Sequence, residues 1–337
     1  MLLLALIPVF MGSGLAIQTA INSRLGKVSG SPFLASMVSF VIGAIFLNVL
    51  LILTGTSPLV SMTTITSNPW WIWLGGVLGV VGLTTNILLF PKLGSVQTAV
   101  LPIFGQIVMG QIIDQFGLFK SPISKFTIIK LVGLMLVAGG MLLATGAFMP
   151  KDKMAKKQHH LLPYQLLGIF AGVLMATQTA INGHLGVILK SSLHAAMISF
   201  TVGALLLIII VLILPIQISN LKLAYQGFSK QWWLWIGGFL GAIYVLGCAW
   251  LVPQIGTGQV IVLVLFGQLF FSAIIDNWGL LHSKVNPINL MRILGLITMF
   301  IGVVVLHFIG SLSKRTDAKI LIIIFKLLDG SLIVFLF

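Results

Sequence analysis

Gln18, Thr19, Ala20, Ile21 and Asn22 return as Gln178, Thr179, Ala180, Ile181 and Asn182, 160 residues further along the chain. At the same offset, Leu25-Gly26 returns as Leu185-Gly186, and Ser39-Phe40 with Gly43-Ala44 as Ser199-Phe200 with Gly203-Ala204. Trp70, Trp71, Trp73, Gly75, Gly76 and Gly79 then reappear as Trp232, Trp233, Trp235, Gly237, Gly238 and Gly241, an offset of 162, so two residues were gained in a loop. The new offset holds through Gln97/Gln259, Gln106/Gln268, Asp114/Asp276, Gly117/Gly279 and Gly133/Gly295. Nearly the whole chain is one unit written twice, so its fold must divide into two equivalent halves.

What each half can be is limited by its solvent. Hydrophobic residues make up 58% of the chain and charged ones 7%, where a soluble domain carries about a quarter charged; the mean hydropathy is +1.16. A membrane-spanning helix needs roughly 20 largely apolar residues, and such stretches lie near 2–22, 33–53, 70–90, 95–113, 128–149, 162–182, 194–216, 232–252, 257–275 and 290–310. The expected fold is an all-α integral membrane protein of about ten transmembrane helices, five in each half. The first stretch lacks a basic leader and is the repeat-mate of 162–182, so it is expected to stay in the mature protein. The expected organisation is a first repeat over 1–149, a basic linker over 150–161, a second repeat over 162–310 and a hydrophobic tail over 311–337. In that tail, Lys326 and Asp329 offset the apolar residues around them, which predicts an interfacial or partly inserted helix.

The net charge of +14 does not make this a nucleic-acid binder, because the 19 Lys and Arg are scattered singly or in small groups between apolar runs. Cys248 stands alone and can form no internal disulfide. His159 and His160, adjacent in the linker, would diverge by about 100° on a helix and make a poor metal pair.

Polar residues inside apolar stretches carry the functional argument. Gln18 and Asn22 share one helix face, as do Gln178 and Asn182; buried in hydrocarbon, they must meet other helices or a water-filled cavity. Interhelical hydrogen bonding and the lining of a solute path both satisfy that demand. Gln97, Gln106, Gln259 and Gln268 add further amides, and Asn86 and Tyr244 break the equivalence of the halves, since Asn86 aligns with Cys248 and Tyr244 with Gly82. The spacing Gly75-Gly79, repeated in Gly237-Gly241, predicts close helix packing, behind tryptophans that suit a membrane boundary. The chain has no Glu, and of its five Asp only Asp114 and Asp276 adjoin a membrane helix of the repeat. Each ends its helix, against the macrodipole; the alternatives are an interfacial hydrogen bond and proton or cation coupling.

Five helices per half is an odd number, so the second half must enter the membrane upside down relative to the first. On that layout eleven basic residues fall on one face (Arg24, Lys27, Lys92, Lys151, Lys153, Lys156, Lys157, Lys222, Lys230, Lys284 and Arg292) and four, with four more in the tail, on the other. The positive-inside rule then makes the central linker cytoplasmic and both ends of the ten-helix unit external.

A QxxxN pair closing the first helix, WWxWxGGxxG opening the third, and Gly-Gln followed eight residues later by Asp and then Gly-Leu occur in both halves. This pattern, over about residues 1–310, resembles the YdcZ-like family of the drug/metabolite transporter superfamily in its fused two-domain form. The resemblance implies a ten-helix exporter of small metabolites in a bacterial cytoplasmic membrane. Its motif positions are Gln18, Asn22, Gln106 and Asp114, with Gln178, Asn182, Gln268 and Asp276. The superfamily's small multidrug pumps depend on a glutamate in their first helix, and no acid occupies that helix here.

The leading expectation is a secondary transporter of an unidentified small metabolite, with access alternating between two inverted repeats. The alternatives are a passive channel and a membrane scaffold without transport activity. No GxxxxGK[ST] motif is present, and no nucleophile, metal or acid/base constellation suggests an enzyme; neither cofactor nor metal is expected. The lipid bilayer and one small solute are the expected partners, and a single chain can suffice, with the oligomeric state left open. The repeated amides, near the ends of their helices, are expected to mark the two gates.

Overall fold

The computed structural model describes residues 2–144, 162–216, 222, 231–282, 285 and 288–306, with the side chains of 2–5 and 90–100 left aside. The basic linker, the adjacent histidines, the tail and the Gln97 side chain lie outside the described residues.

The described chain is helical. In order come α1 (Leu2–Ser29), α2 (Pro32–Leu53), the short α3 (Met62–Ser67), α4 (Gly75–Phe116), α5 (Ile128–Ala144), α6 (Leu162–Ile188), α7 (Ser192–Ile213), α8 (Gly237–Ile255), α9 (Thr257–Trp278) and α10 (Leu290–Val304). Single 3₁₀ turns, Trp70–Trp73 and Trp232–Trp235, lead into α4 and α8. Among the described residues six helical stretches are long and apolar enough to cross a membrane: Leu6–Ser29, Pro32–Leu53, Leu162–Ile188, Ser192–Ile213, Trp232–Ile255 and Thr257–Trp278. Gly75–Leu89, Ile128–Ala144 and Leu290–Val304 are shorter apolar helices.

Equivalent local chemistry starts and stops equivalent helices. Ser31 and Ser191 each accept a hydrogen bond from the backbone N–H three residues on, capping α2 and α7. Gly117 and Gly279 both adopt φ +62°, the left-handed stop that lets α4 and α9 end in a tight turn. Beyond those turns, Gln115 accepts from the N–H of Phe126 and Asn277 accepts from the N–H of Ile288, tying each returning loop to its helix.

Among the described residues the halves differ in how their third and fourth spans are joined. The expected third and fourth spans of the first half form one helix, α4, whereas their counterparts are two, α8 and α9, separated at Gly256, where φ is +91°. A straight helix of α4's 42 residues would be about 63 Å long, roughly twice the hydrocarbon thickness. Leu89 and Leu101, about 18 Å apart on a straight helix, both abut Gly168. The path of α4 therefore bends between them, in the stretch that holds Pro91 and Gly94.

Packing is exchanged between halves. α1 packs chiefly on α9 and α8, α6 on α4 and α8, α2 on α7, and α5 on α10. The contacts are reciprocal residue by residue. Phe40 and Phe200 lie with ring centroids 5.0 Å apart, each over the other half's glycine, Gly203 for Phe40 and Gly43 for Phe200. Gly76 meets the carbonyl of Ser199 and Gly238 that of Ser39; Gly105 meets the carbonyl of Ile169 and Gly267 that of Val9. Such pairs, in which i touches j′ and j touches i′, are the signature of a twofold relation. Outside, large apolar side chains are bare: Leu53 is 77% exposed, Ile128 82% and Ile213 76%. An exterior this apolar around a core that buries Gln18, Asn22, Gln106, Asp114, Lys130, Gln178 and Asn182 suits lipid rather than water as the surrounding medium.

Candidate functional site

The amides and the glycines that the sequence presents as separate features meet each other across the halves. Gln18 lies over Gly241 and Asn22 over Gly237; Gln178 lies over Gly79 and Asn182 over Gly75. On both seams the numbers run in opposite directions, so α1 is antiparallel to α8 and α6 to the first part of α4. Asn22 Nδ2 donates to Ser39 Oγ at 3.3 Å, and Asn182 Nδ2 to Ser199 Oγ at 3.2 Å. The Oδ1 atoms of both asparagines are buried and have no conventional hydrogen-bond partner among the described residues. Each points at the place a Cβ would occupy on Gly237 or Gly75, where a glycine presents only a Cα–H. Weak Cα–H···O contacts of this kind recur where helices pack closely.

Both seams begin at the tryptophan turns. Trp71 stacks on His184 of α6, with centroids 5.5 Å apart, and meets the edge of Phe119. Trp233 and Trp235 pack beside Leu25 and Val38 at the corresponding place in the other half.

Deeper inside, equivalence lapses. Asn86 donates only to Met175 Sδ, at 3.7 Å, and its buried Oδ1 has no partner among the described residues. Nearby, Thr84 donates to Ser36 Oγ at 3.0 Å. In the other half Tyr244 is buried beside Cys248 and Thr179. Gln106 is buried and Gln268 half-buried, the backbone of Gln268 packing against Gly12.

The two acids are placed differently. Asp114 is 2% exposed. It accepts from the backbone N–H of Thr257 at 2.8 Å, from that of Gly258 at 2.9 Å, and from the Ser121 hydroxyl at 3.2 Å. Although it ends its own helix, it caps the N-terminus of α9, where a carboxylate is favoured by the dipole and by unspent N–H groups. A cavity of about 10 Å³ beside it, lined by Gln111, Asp114, Ser124, Lys130, Gly258 and Gln259, has room for about one water. Asp276 instead forms an ion pair with Arg292 at 2.8 Å, with Asp276 35% and Arg292 13% exposed. Lys130, the counterpart of Arg292, donates to Ser124 Oγ at 2.6 Å and to the carbonyl of Lys125 at 2.8 Å.

The structure thus joins Gln18 and Asn22 with Gly241 and Gly237, and Gln178 and Asn182 with Gly79 and Gly75. It places Asp114 with Gln259, Asn86 against Met175, Tyr244 beside Cys248 and Thr179, and Asp276 on Arg292. Four contributors were not singled out in the sequence: Ser121, Thr257, and the pair Lys130 and Arg292. The 162-residue offset carries the signal for three of them, since it aligns Lys130 with Arg292 and Ser121 with Ser283. Among the described residues, no group of three or more His, Cys, Asp or Glu could hold a metal ion.

Comparison with known proteins agrees with the fold. Twenty solved chains resemble the structure; one, described as "Crystal structure of protein", has a TM-score of 0.63 at 15% identity over 92% of this chain and 96% of its own. No curated protein matches at a significant level. The profile of a family described as "Putative inner membrane exporter, YdcZ" matches residues 3–143 and again residues 163–305. Matched once over each half, the chain belongs to the YdcZ family of the drug/metabolite transporter superfamily.

Proposed function

We propose that the chain is a secondary transporter that exports a small metabolite across a bacterial inner membrane by alternating access between two inverted five-helix halves. The observation that carries this reading is the exchanged amide–glycine seam: each half's Gln-Asn pair is seated on the other half's glycine pair. Two seams of identical chemistry between two halves are what a rocking mechanism requires, because one must loosen as the other closes. Inversion is supported by the antiparallel course of α1 against α8, since helices one and three of parallel repeats would run the same way. It is supported again where the Ser57 carbonyl meets His194 Nε2 at 2.7 Å, which joins the second loop of one half to the first turn of α7 in the other.

On this reading the four amides and their glycines are gates. Asn86, whose amide lacks an oxygen or nitrogen partner among the described residues, and Tyr244, whose repeat counterpart is Gly82, make the interior chemically one-sided and so able to discriminate a solute. Buried amides left unpaired are costly unless something completes them. The lipid bilayer and one solute are the partners, and one chain holds both halves.

The test is flux. Full-length protein in sealed vesicles, offered a metabolite panel, should give saturable uptake for one chemical class, reduced at least tenfold by Asn86→Leu. Flux linear in concentration for every compound would favour a passive pore, and no flux at all a scaffold.

A further inference from the structure

The halves are reciprocal at the seams, the caps and the loop ties, yet their acids differ, and the difference tracks the backbone break at Gly256. In the second half the chain breaks at Gly256, and the N–H groups freed at Thr257 and Gly258 are both taken by Asp114. In the first half Gly94 aligns with Gly256 and Pro91 with Pro253, but α4 is helical throughout. The residues matching Thr257 and Gly258 are Ser95 and Val96, inside α4, where backbone N–H groups serve the helix itself. Asp276, the mate of Asp114, therefore finds no freed donors in α4 and lies on Arg292 instead.

We propose that Asp114 and Asp276 are alternating latches: Asp114 caps the break at Gly256 in the conformation described, and Asp276 caps a matching break at Gly94 in the opposite one. As α4 breaks, α8 and α9 join through Gly256. Asp114 then moves to Lys130, which stands where Arg292 stands in the other half. Arg292 and Lys130 are the resting places of whichever acid is released, so neither carboxylate is left in the membrane without a partner. The free energy of one capped helix end is exchanged for that of the other, which leaves two conformations of nearly equal stability, as an exchange between inward and outward access demands. The proposal rests on the transporter reading for its purpose, but not for its test.

Disulfide trapping in native membranes reads both latches without a substrate. In a Cys248→Ala background, Ser121→Cys with Thr257→Cys reports the first, since the native hydroxyls are 2.9 Å apart. Ser283→Cys with Ser95→Cys is the repeat-equivalent pair and reports the second. The first pair should cross-link faster. Arg292→Gln, which releases Asp276 and leaves the Asp114 cap intact, should slow the first pair and speed the second, changing their ratio about tenfold, the size expected of charge-assisted hydrogen bonds. Asp114→Asn should act in the same direction and Asp276→Asn in the opposite one. If Asp114→Asn impairs folding, seen as loss of the monodisperse species in detergent, the Arg292→Gln and Asp276→Asn arms decide. A second pair whose rate ignores all three substitutions overturns the latches and makes Asp114 a fixed brace. Saturable flux alongside uncoupled pairs would sink this proposal alone; coupled pairs with no saturable flux for any solute would sink the transport reading alone.

Discussion

At Gly241, a Cβ would lie 2.3 Å from Gln18 Nε2, and at Gly75, 2.0 Å from Asn182 Oδ1. These glycines are required for the room they leave and not for backbone freedom, since both sit in ordinary helix. The neighbour in each case is a side-chain amide held in a closed seam, so relief requires a shift of the amide or of the helix. Gly241→Ala should therefore destabilise by about 1–3 kcal/mol, the usual range for overpacking. Gln18→Ala in the same chain should restore most of that loss, because the alanine methyl then occupies the vacated space. Thermal unfolding in detergent, arranged as a double-mutant cycle, would show the coupling; strict additivity would mean that the two residues do not share one seam. Gly139 is the control: nothing lies within 4 Å of its would-be Cβ, so Gly139→Ala should leave stability unchanged or slightly raised.

At the level of elements, Asp114 and Asp276 illustrate how far identical residues diverge when the backbone around them differs. Removing Asp114 leaves the N–H groups of Thr257 and Gly258 buried without acceptors, so Asp114→Ala should cost about 3 kcal/mol. Asp276→Ala should cost under about 1 kcal/mol, as for other solvent-reached ion pairs. Equal losses in a chemical-denaturation comparison would contradict the two environments. The helices themselves were legible in the sequence, because long apolar runs and a repeated Ser or Gly at their ends dictate where they start and stop. The seam was half legible. Gln18-Asn22 and Gly237-Gly241 each stand out by spacing, but that they fill each other depends on three-dimensional exchange between halves, which no local pattern encodes. The cap was not legible, since a carboxylate at its own helix C-terminus looks unfavourable until the N-terminus of α9 is brought to it. The unequal break was hidden for a simpler reason: Gly94 and Gly256 are the same residue after the same proline spacing, and only tertiary packing distinguishes them.

For the whole molecule, charge and contact give independent constraints on how the chain sits in its membrane. The contact of Ser57 with His194 places the loop after α2 beside the loop before α7, and Trp71 on His184 with Phe119 puts the start of α4 and the turn after it at the same end. These loops carry Lys120, Lys125 and Lys190. The opposite end has Arg24, Lys27 and Lys222, and the charge pattern of the sequence assigns Lys151, Lys153, Lys156 and Lys157 to that side. Charge retention is read from the more basic short loops, so the lysine-rich linker and Lys222 are expected in the cytoplasm and Ser57 on the far side. In a Cys248→Ala background, Ser57→Cys should react with a membrane-impermeant maleimide on intact cells, whereas Lys222→Cys should react only after permeabilisation. The reverse result would place the linker outside while leaving the two halves' mutual inversion intact, since that depends on helix direction and not on charge. Both positions reacting from one side would contradict inversion itself, because Ser57 and Lys222 lie on loops that only an antiparallel pair of five-helix units separates.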